Sequence, residues 1–310
     1  MRAFIFPGQG SQFIGMGKDL ADAFPVAKET FQKVDDVLGQ NLSGLMFDGE
    51  EAELNLTENT QPALMAVSMA VMNVLTTQGG ISLQDHCAYV AGHSLGEYSA
   101  LTAASTLDIA DTAKLLKLRG QAMQQAVPVG VGSMAAIIGM DLDQVQEIAQ
   151  EASQADNICE VANDNSVGQI VISGHKEAIE KAVALATEKG AKKAVILPVS
   201  APFHCSLMAP AAKAMKDALA QTDMKAPIVP VVANVTANAQ SNPDDLRGLL
   251  VDQVTGMVKW RDSVSWMVQQ GVTEMVEIGA GKVLNGLVRR IDRNIQCQAI
   301  GTVEQIEGYL

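Results

Sequence analysis

The sequence reads as an α/β protein: a mostly parallel sheet with helices on both faces, and a smaller strand-and-helix unit inserted into it. Three observations predict this. Short apolar runs alternate with longer helix-patterned segments. One such run leads into Gly92-His93-Ser94-Leu95-Gly96 and then a helix-like stretch. Between Ser133 and Val199 the order changes to strand-helix-strand-strand-helix-strand, the split βαβ arrangement of ferredoxin-like folds.

In chain order, Ala3 to Phe6 is a short buried strand closed by Pro7, and Pro62 to Thr77, rich in Ala, Met and Val, a largely buried helix. Ala88 to Ala91 is the strand before the pentapeptide, and Glu97 to Ala104 the helix after it. Asp108 to Ala126 is helical, with Leu115, Leu116, Leu118, Ala122 and Met123 on one stripe. The inserted unit gives strands at Met134 to Ile138, Ile158 to Ala162, Gln169 to Ser173 and Ala194 to Val199, and helices at Leu142 to Ala152 and Lys176 to Glu188. Beyond it, Ile228 to Ala233 and Met275 to Ile278 are strand-like and Asp262 to Gln270 helical. The expected division is therefore 1–130 with 200–310 as the large domain and 131–199 as the insert.

Composition narrows the function. At 310 residues and 48% hydrophobic content the chain can bury a large core and exceeds the usual size of one compact domain. With 35 acidic against 22 basic side chains the net charge is −13, which argues against nucleic acid or an anionic membrane as partner. The four-residue apolar run at the N-terminus is too short for a signal peptide, and Met65 to Leu75, interrupted by Ser68 and Asn73, is too short to span a bilayer, so a soluble, cytoplasmic protein is expected. Cys87, Cys159, Cys205 and Cys297 lack metal-ligand spacing and favour reduced structural thiols over disulfides or zinc; no metal is expected.

The pentapeptide has the form of a nucleophile elbow, in which small residues two positions either side of the serine allow a sharp turn and close approach of a substrate. The helix that follows aims its first N–H groups, Leu95 among them, at a developing oxyanion. A base must accompany Ser94. His93 lies within the elbow, where it should point away from Ser94 and pack, and His86 and His175 read as surface residues. That leaves His204, in the proline-bearing loop from Ser200 to Ser206 that leaves the inserted unit. Arg119 falls within the apolar stripe of its helix. A guanidinium there needs an anion, either a protein carboxylate or the carboxylate of a ligand. The turn Pro7-Gly8-Gln9-Gly10-Ser11-Gln12 fails the dinucleotide fingerprint because Phe13 stands where glycine is needed, and can instead offer Gln9 to an oxyanion. Likewise, Gly279-Ala280-Gly281-Lys282 fails as a phosphate loop, with Val276 and Val283 at the required glycine and hydroxyl positions.

Taken together, Phe6 to Gln12, Gly92 to Glu97, the Arg119 helix, Ala201-Pro202-Phe203-His204, Gln253 and Glu277 to Lys282 closely resemble the malonyl-CoA:acyl carrier protein transacylases, nearly end to end. The resemblance implies an α/β-hydrolase-like large domain with a ferredoxin-like insert. It also implies a ping-pong transfer, with Ser94 as nucleophile, His204 as acid and base, the N–H groups of Gln9 and Leu95 as oxyanion hole, and Arg119 clamping the malonyl carboxylate. In that family a backbone carbonyl orients the histidine; here it maps to Gln253, with Asp252 a neighbouring rival. The donor would be malonyl-CoA and the acceptor the phosphopantetheine thiol of acyl carrier protein, with no bound cofactor and the chain acting as a monomer.

Methylmalonyl-selective relatives carry Ser before the histidine and Gln after the nucleophile; Phe203 and Leu95 stand here, which implies malonyl selection by exclusion of the extra methyl. An acidic carrier needs a basic patch on this acidic chain; Lys192, Lys193, Lys282, Arg289 and Arg290 could supply one or could simply be solvated. A discrete acyltransferase of a polyketide assembly line fits the same residues, a serine hydrolase fits the elbow less well because of Arg119 and the insert, and a carrier-binding scaffold without catalysis fits least.

Overall fold

The computed structural model describes residues 1–199 and 201–310. Among these described residues, ten strands fall into two sheets. Strands β1 (Arg2–Phe6), β2 (Tyr89–Gly92), β7 (Val231–Val232), β8 (Ala239–Gln240), β9 (Glu274–Ile278) and β10 (Gln296–Ile300) form one sheet, in the order β10-β9-β1-β2-β7-β8. All its pairings are parallel except β7 with β8. Strands β3 (Gly132–Ile138), β4 (Cys159–Ser166), β5 (Gln169–His175) and β6 (Lys193–Ile196) form an antiparallel sheet in the order β4-β5-β3-β6. That order is the split βαβ arrangement read from the sequence.

Alternation along the parallel strands explains the layering. Phe4 and Phe6 of β1, Val90 of β2 and Val276 and Ile278 of β9 enter the larger core, beneath the helices at 57–79 and 109–125. Ala3, Ile5, Ala91 and Met275 enter a second core on the opposite face, against Trp260, Val264 and Leu287. A parallel sheet buried on both faces needs apolar residues at successive positions, which is why its strands read as continuous runs rather than alternating ones. The small sheet packs Ala135, Ile137, Ile170 and Ile172 on its own helices, 142–152 and 176–188. Its other face contributes Met134, Ala162 and Val171 to the larger core.

The differences from the sequence reading have local causes. The strand expected to reach Val199 ends at Ile196: Leu197 still donates to the Met134 carbonyl, but Pro198 has no N–H with which to continue the ladder. Likewise, only Val231–Val232 of the expected 228–233 strand pairs, directly after Pro230. The strand expected to stop at Ala162 runs to Ser166 through two register shifts, because Asn163, Asp164 and Asn165 are buried partners of the large sheet's elements and not turn residues. The helix expected to begin at Pro62 begins at Thr57, with the proline inside it. The sequence reading assigned neither β10 nor the helices at 25–38, 209–220, 243–255 and 283–291. All four cysteines are free thiols, and burial pushes Cys87 and Cys159 up to about 12. Among the described residues no helix is long and apolar enough to cross a membrane.

Candidate active site

The site forms where β1 and β2 end side by side. Phe6 pairs with Gly92, so the Pro7-Gly8-Gln9 turn and the elbow leave the sheet together. Glycine makes this contact possible: a Cβ on Gly96 would lie 2.2 Å from the Phe6 carbonyl oxygen, and one on Gly8 2.6 Å from that of His93. Ser94 sits between strand and helix at φ 54°, in the left-handed region that non-glycine residues enter only under strain. Its N–H donates to Asn234 Oδ1 at 2.7 Å, and the elbow helix follows at Leu95–Ala103.

His204 also has a positive φ, 57°, and is 4% exposed. Its Nε2 lies 2.8 Å from Ser94 Oγ and its Nδ1 2.8 Å from the backbone oxygen of Gln253. A carbonyl can only accept, so the proton belongs on Nδ1, and Nε2 is left to receive the serine proton. Burial, reinforced by the charge of Arg119, brings the imidazole down to about 3 and keeps it neutral. The loop carrying it is tied to the small sheet through Ser206, whose N–H and hydroxyl donate to the Glu160 carboxylate of β4 at 2.8 and 2.7 Å.

Arg119 is 1% exposed, and the oxygens it meets are all neutral. Nη1 donates to Gln61 Oε1 at 2.8 Å, and Nη2 to Gln253 Oε1 at 2.9 Å and Ser94 Oγ at 3.1 Å. The Tyr98 ring lies 5.6 Å from its guanidinium carbon, and Nε has no hydrogen-bond partner. Of the two anions that sequence reasoning allowed, no protein carboxylate among the described residues bonds to the guanidinium directly. A cavity of 130 Å³ opens beside Ser94, His204 and Arg119, lined also by Gln9, Gln61, Leu95 and Phe203, by Met134 and Asn163 of the small sheet, and by Leu197 and Val199 just beyond β6. Gln9 and Leu95 thus flank the serine, and Phe203 forms part of the wall.

The remaining candidates lie elsewhere. His93 turns away from Ser94, with Nε2 2.7 Å from Asn165 Oδ1 and its ring 5.7 Å from that of Trp260, as expected of a packing residue. His175 is half-buried at the end of β5, where Nδ1 accepts from the Ile158 N–H, and His86 ends a short helix, Leu83–His86. Lys192, Lys193, Lys282, Arg289 and Arg290 are exposed, and Arg290 donates to Gln169 of the small sheet. The lookalike phosphate loop holds an anion of its own: the Glu277 carboxylate accepts from Leu284 N–H at 3.0 Å and Asn285 N–H at 2.8 Å, at the N-terminus of the 283–291 helix.

Sequence reasoning missed Gln61, Asn234 and Glu97. Their residue types were visible, at the end of the polar run Thr57 to Gln61, directly after an apolar run and at the start of an apolar helix, but their partners were not.

Residues 3–303 match the family described as acyl transferase domain. The chain belongs to that family. Two relatives named malonyl CoA-acyl carrier protein transacylase, from Bacillus subtilis and Escherichia coli, are 44% and 47% identical to this acyltransferase. The alignments span 98% and 96% of the chain, and 95% of each relative. Among solved structures, the acyl-carrier-protein-S-malonyltransferase of Bartonella henselae superposes with a TM-score of 0.97 at 54% identity, covering 100% of this chain and 98% of that one. A malonyl-transacylase solved in complex with its type II PKS acyl-carrier protein gives 0.96 at 42% identity, with 100% and 98% covered.

Proposed function

We propose that this acyltransferase moves a malonyl group from malonyl-CoA to the phosphopantetheine thiol of acyl carrier protein through a malonyl ester on Ser94. The observation that carries this reading is Arg119, a buried cation with no carboxylate bonded to it whose Nη2 lies 3.1 Å from the nucleophile, at a spacing suited to holding the far carboxylate of a short diacid thioester. In the first half-reaction Ser94 Oγ attacks the thioester carbon, its proton passes to His204 Nε2, the oxyanion is held by the N–H groups of Gln9 and Leu95, and the C–S bond breaks as the proton goes to the departing sulfur. In the second, the carrier thiol gives its proton to His204, its sulfur attacks the acyl carbon, and Ser94 Oγ leaves with that proton. The Gln253 carbonyl holds His204 in the required tautomer, and Phe203 narrows the wall against a branched acyl group.

We also propose that 131–199 is an inserted domain between 1–130 and 200–310. Ser200, at that boundary, lies outside the described residues. Lys192, Lys193, Lys282, Arg289 and Arg290 would dock the acidic carrier, the enzyme would be cytoplasmic and monomeric, and it needs no bound cofactor. Fatty-acid synthesis is the pathway we propose, and the relative solved with a PKS carrier keeps a polyketide assembly line as the second reading. The test is intact-mass analysis after incubation with malonyl-CoA, followed by addition of phosphopantetheinylated carrier. The expected result is an adduct mapped to Ser94 that persists in buffer and moves to the carrier; loss to water without transfer would establish a hydrolase instead.

A further inference from the structure

Glu97 lies in the first turn of the elbow helix, and its side chain is fully buried. Oε2 accepts from Gln253 Nε2 at 2.8 Å and from the Asn234 N–H at 2.9 Å, while Oε1 has no partner. The same Gln253 amide presents its oxygen to Arg119 Nη2 at 2.9 Å. One amide therefore separates a buried cation from a buried carboxylate, with its oxygen toward the positive charge and its nitrogen toward the negative. Each end of that chain polarises the other, and the low local dielectric lets the two charges feel one another strongly. Arg119 would otherwise be a desolvated cation among neutral oxygens, a costly arrangement.

We propose that Glu97 is the resident counter-charge of Arg119, a positioning residue acting through Gln253, and that the carboxylate of the incoming acyl group must displace its influence to bind. The inference rests on the malonyl-transfer reading above. Arg119 faces Glu97 from the 109–125 helix, and the neighbouring titratable group on its own helix is Tyr98; Gln253 and Asn234 contribute only neutral dipoles. Burial brings the Glu97 carboxyl up to about 7, opposed by its two hydrogen bonds and by Arg119, so it is poised to take a proton from solvent when a second carboxylate reaches the guanidinium. The sign follows from Coulomb's law: an ionised Glu97 repels the substrate carboxylate, and removing that charge must tighten binding of carboxylated donors alone.

The test compares the parent with Glu97→Gln, whose amide oxygen can still accept from Gln253 and Asn234. The KM for malonyl-CoA should fall at least about threefold, while the inhibition constant of free CoA, which lacks the carboxylate, stays within about twofold. A KM that is unchanged, raised, or shifted in step with CoA overturns the proposal, because structural damage would move both. In the parent labelled with carbon-13 glutamate, infrared difference spectra on Ser94 malonylation should show a carboxylate lost and a protonated carboxyl gained; a spectrum without that exchange overturns the idea even if the variant does not fold. A parent that forms no malonyl adduct on Ser94 sinks the transfer reading and this one with it, and is distinguished from the other failures by that missing adduct.

Discussion

Replacing one side chain at a time separates the roles within the site. His204 is held neutral down to about 3, whereas an unfolded histidine takes its proton near 6.5, so the unfolded state binds more protons between those values and the stability this residue contributes is lost as pH falls. Urea unfolding of the parent against His204→Ala should show the parent losing about 2 kcal/mol relative to the variant from about pH 7.5 to about pH 5, and an unchanged difference would mean that the imidazole is charged in the folded protein. For Arg119→Met, loss of two charge-assisted bonds to a carboxylate, at about 1.5–3 kcal/mol each, should slow Ser94 malonylation by about 10²- to 10⁴-fold. Acetyl-CoA should be much less affected, which single-turnover mass spectrometry reads directly. Ser94, His204 and Arg119 were legible in the sequence because each violates its surroundings: a serine between glycines, a histidine in a proline loop, a cation in an apolar stripe. Glu97 and Asn234 escaped because their work is hydrogen bonding across about 140 residues of sequence separation, which no local pattern encodes.

The elbow can be tested at the level of its packing. A Cβ on Gly96 meets the backbone of β1, and no rotamer change can relieve a clash with a carbonyl oxygen 2.2 Å away. Gly96→Ala should cost about 3 kcal/mol and abolish acylation as the helix retreats from Phe6. Gly286→Ala serves as the control, since a Cβ there has open space within the 283–291 helix; thermal unfolding should show no loss, or a gain of up to about 1 kcal/mol. Strands β1, β2 and β9 were read to within a residue, each an apolar run closed by Gly or Pro. Prolines account for the strands that end early, and a tertiary contact for the one that runs long. Asn163-Asp164-Asn165 has turn chemistry but forms a strand, because Asn165 bonds to His93 and Asp164 pairs with Arg261. A tertiary partner overrode the local preference, and a single sequence holds no sign of it.

Across the whole molecule, β4 of the small sheet is tied to the large sheet's elements through Asp164. Asp164, with a side chain 1% exposed, lies 2.8 Å from Arg261 and is brought up to about 6 by burial, against the pull of the arginine. Arg261→Met should destabilise by about 3 kcal/mol at about pH 8, where the orphaned carboxylate is charged, and by less at about pH 5, where Asp164 is protonated; unfolding curves at the two pH values decide it. The cavity is lined from both sheets' sides, with Met134, Leu197 and Val199 among its walls, so the placement of the small sheet shapes it. At 130 Å³ it suits a short acyl group beside Ser94 better than an extended chain. Where short and long-chain thioesters share one carrier, such a chamber would act as a gauge, seating short acyl groups beside the serine in preference to long ones.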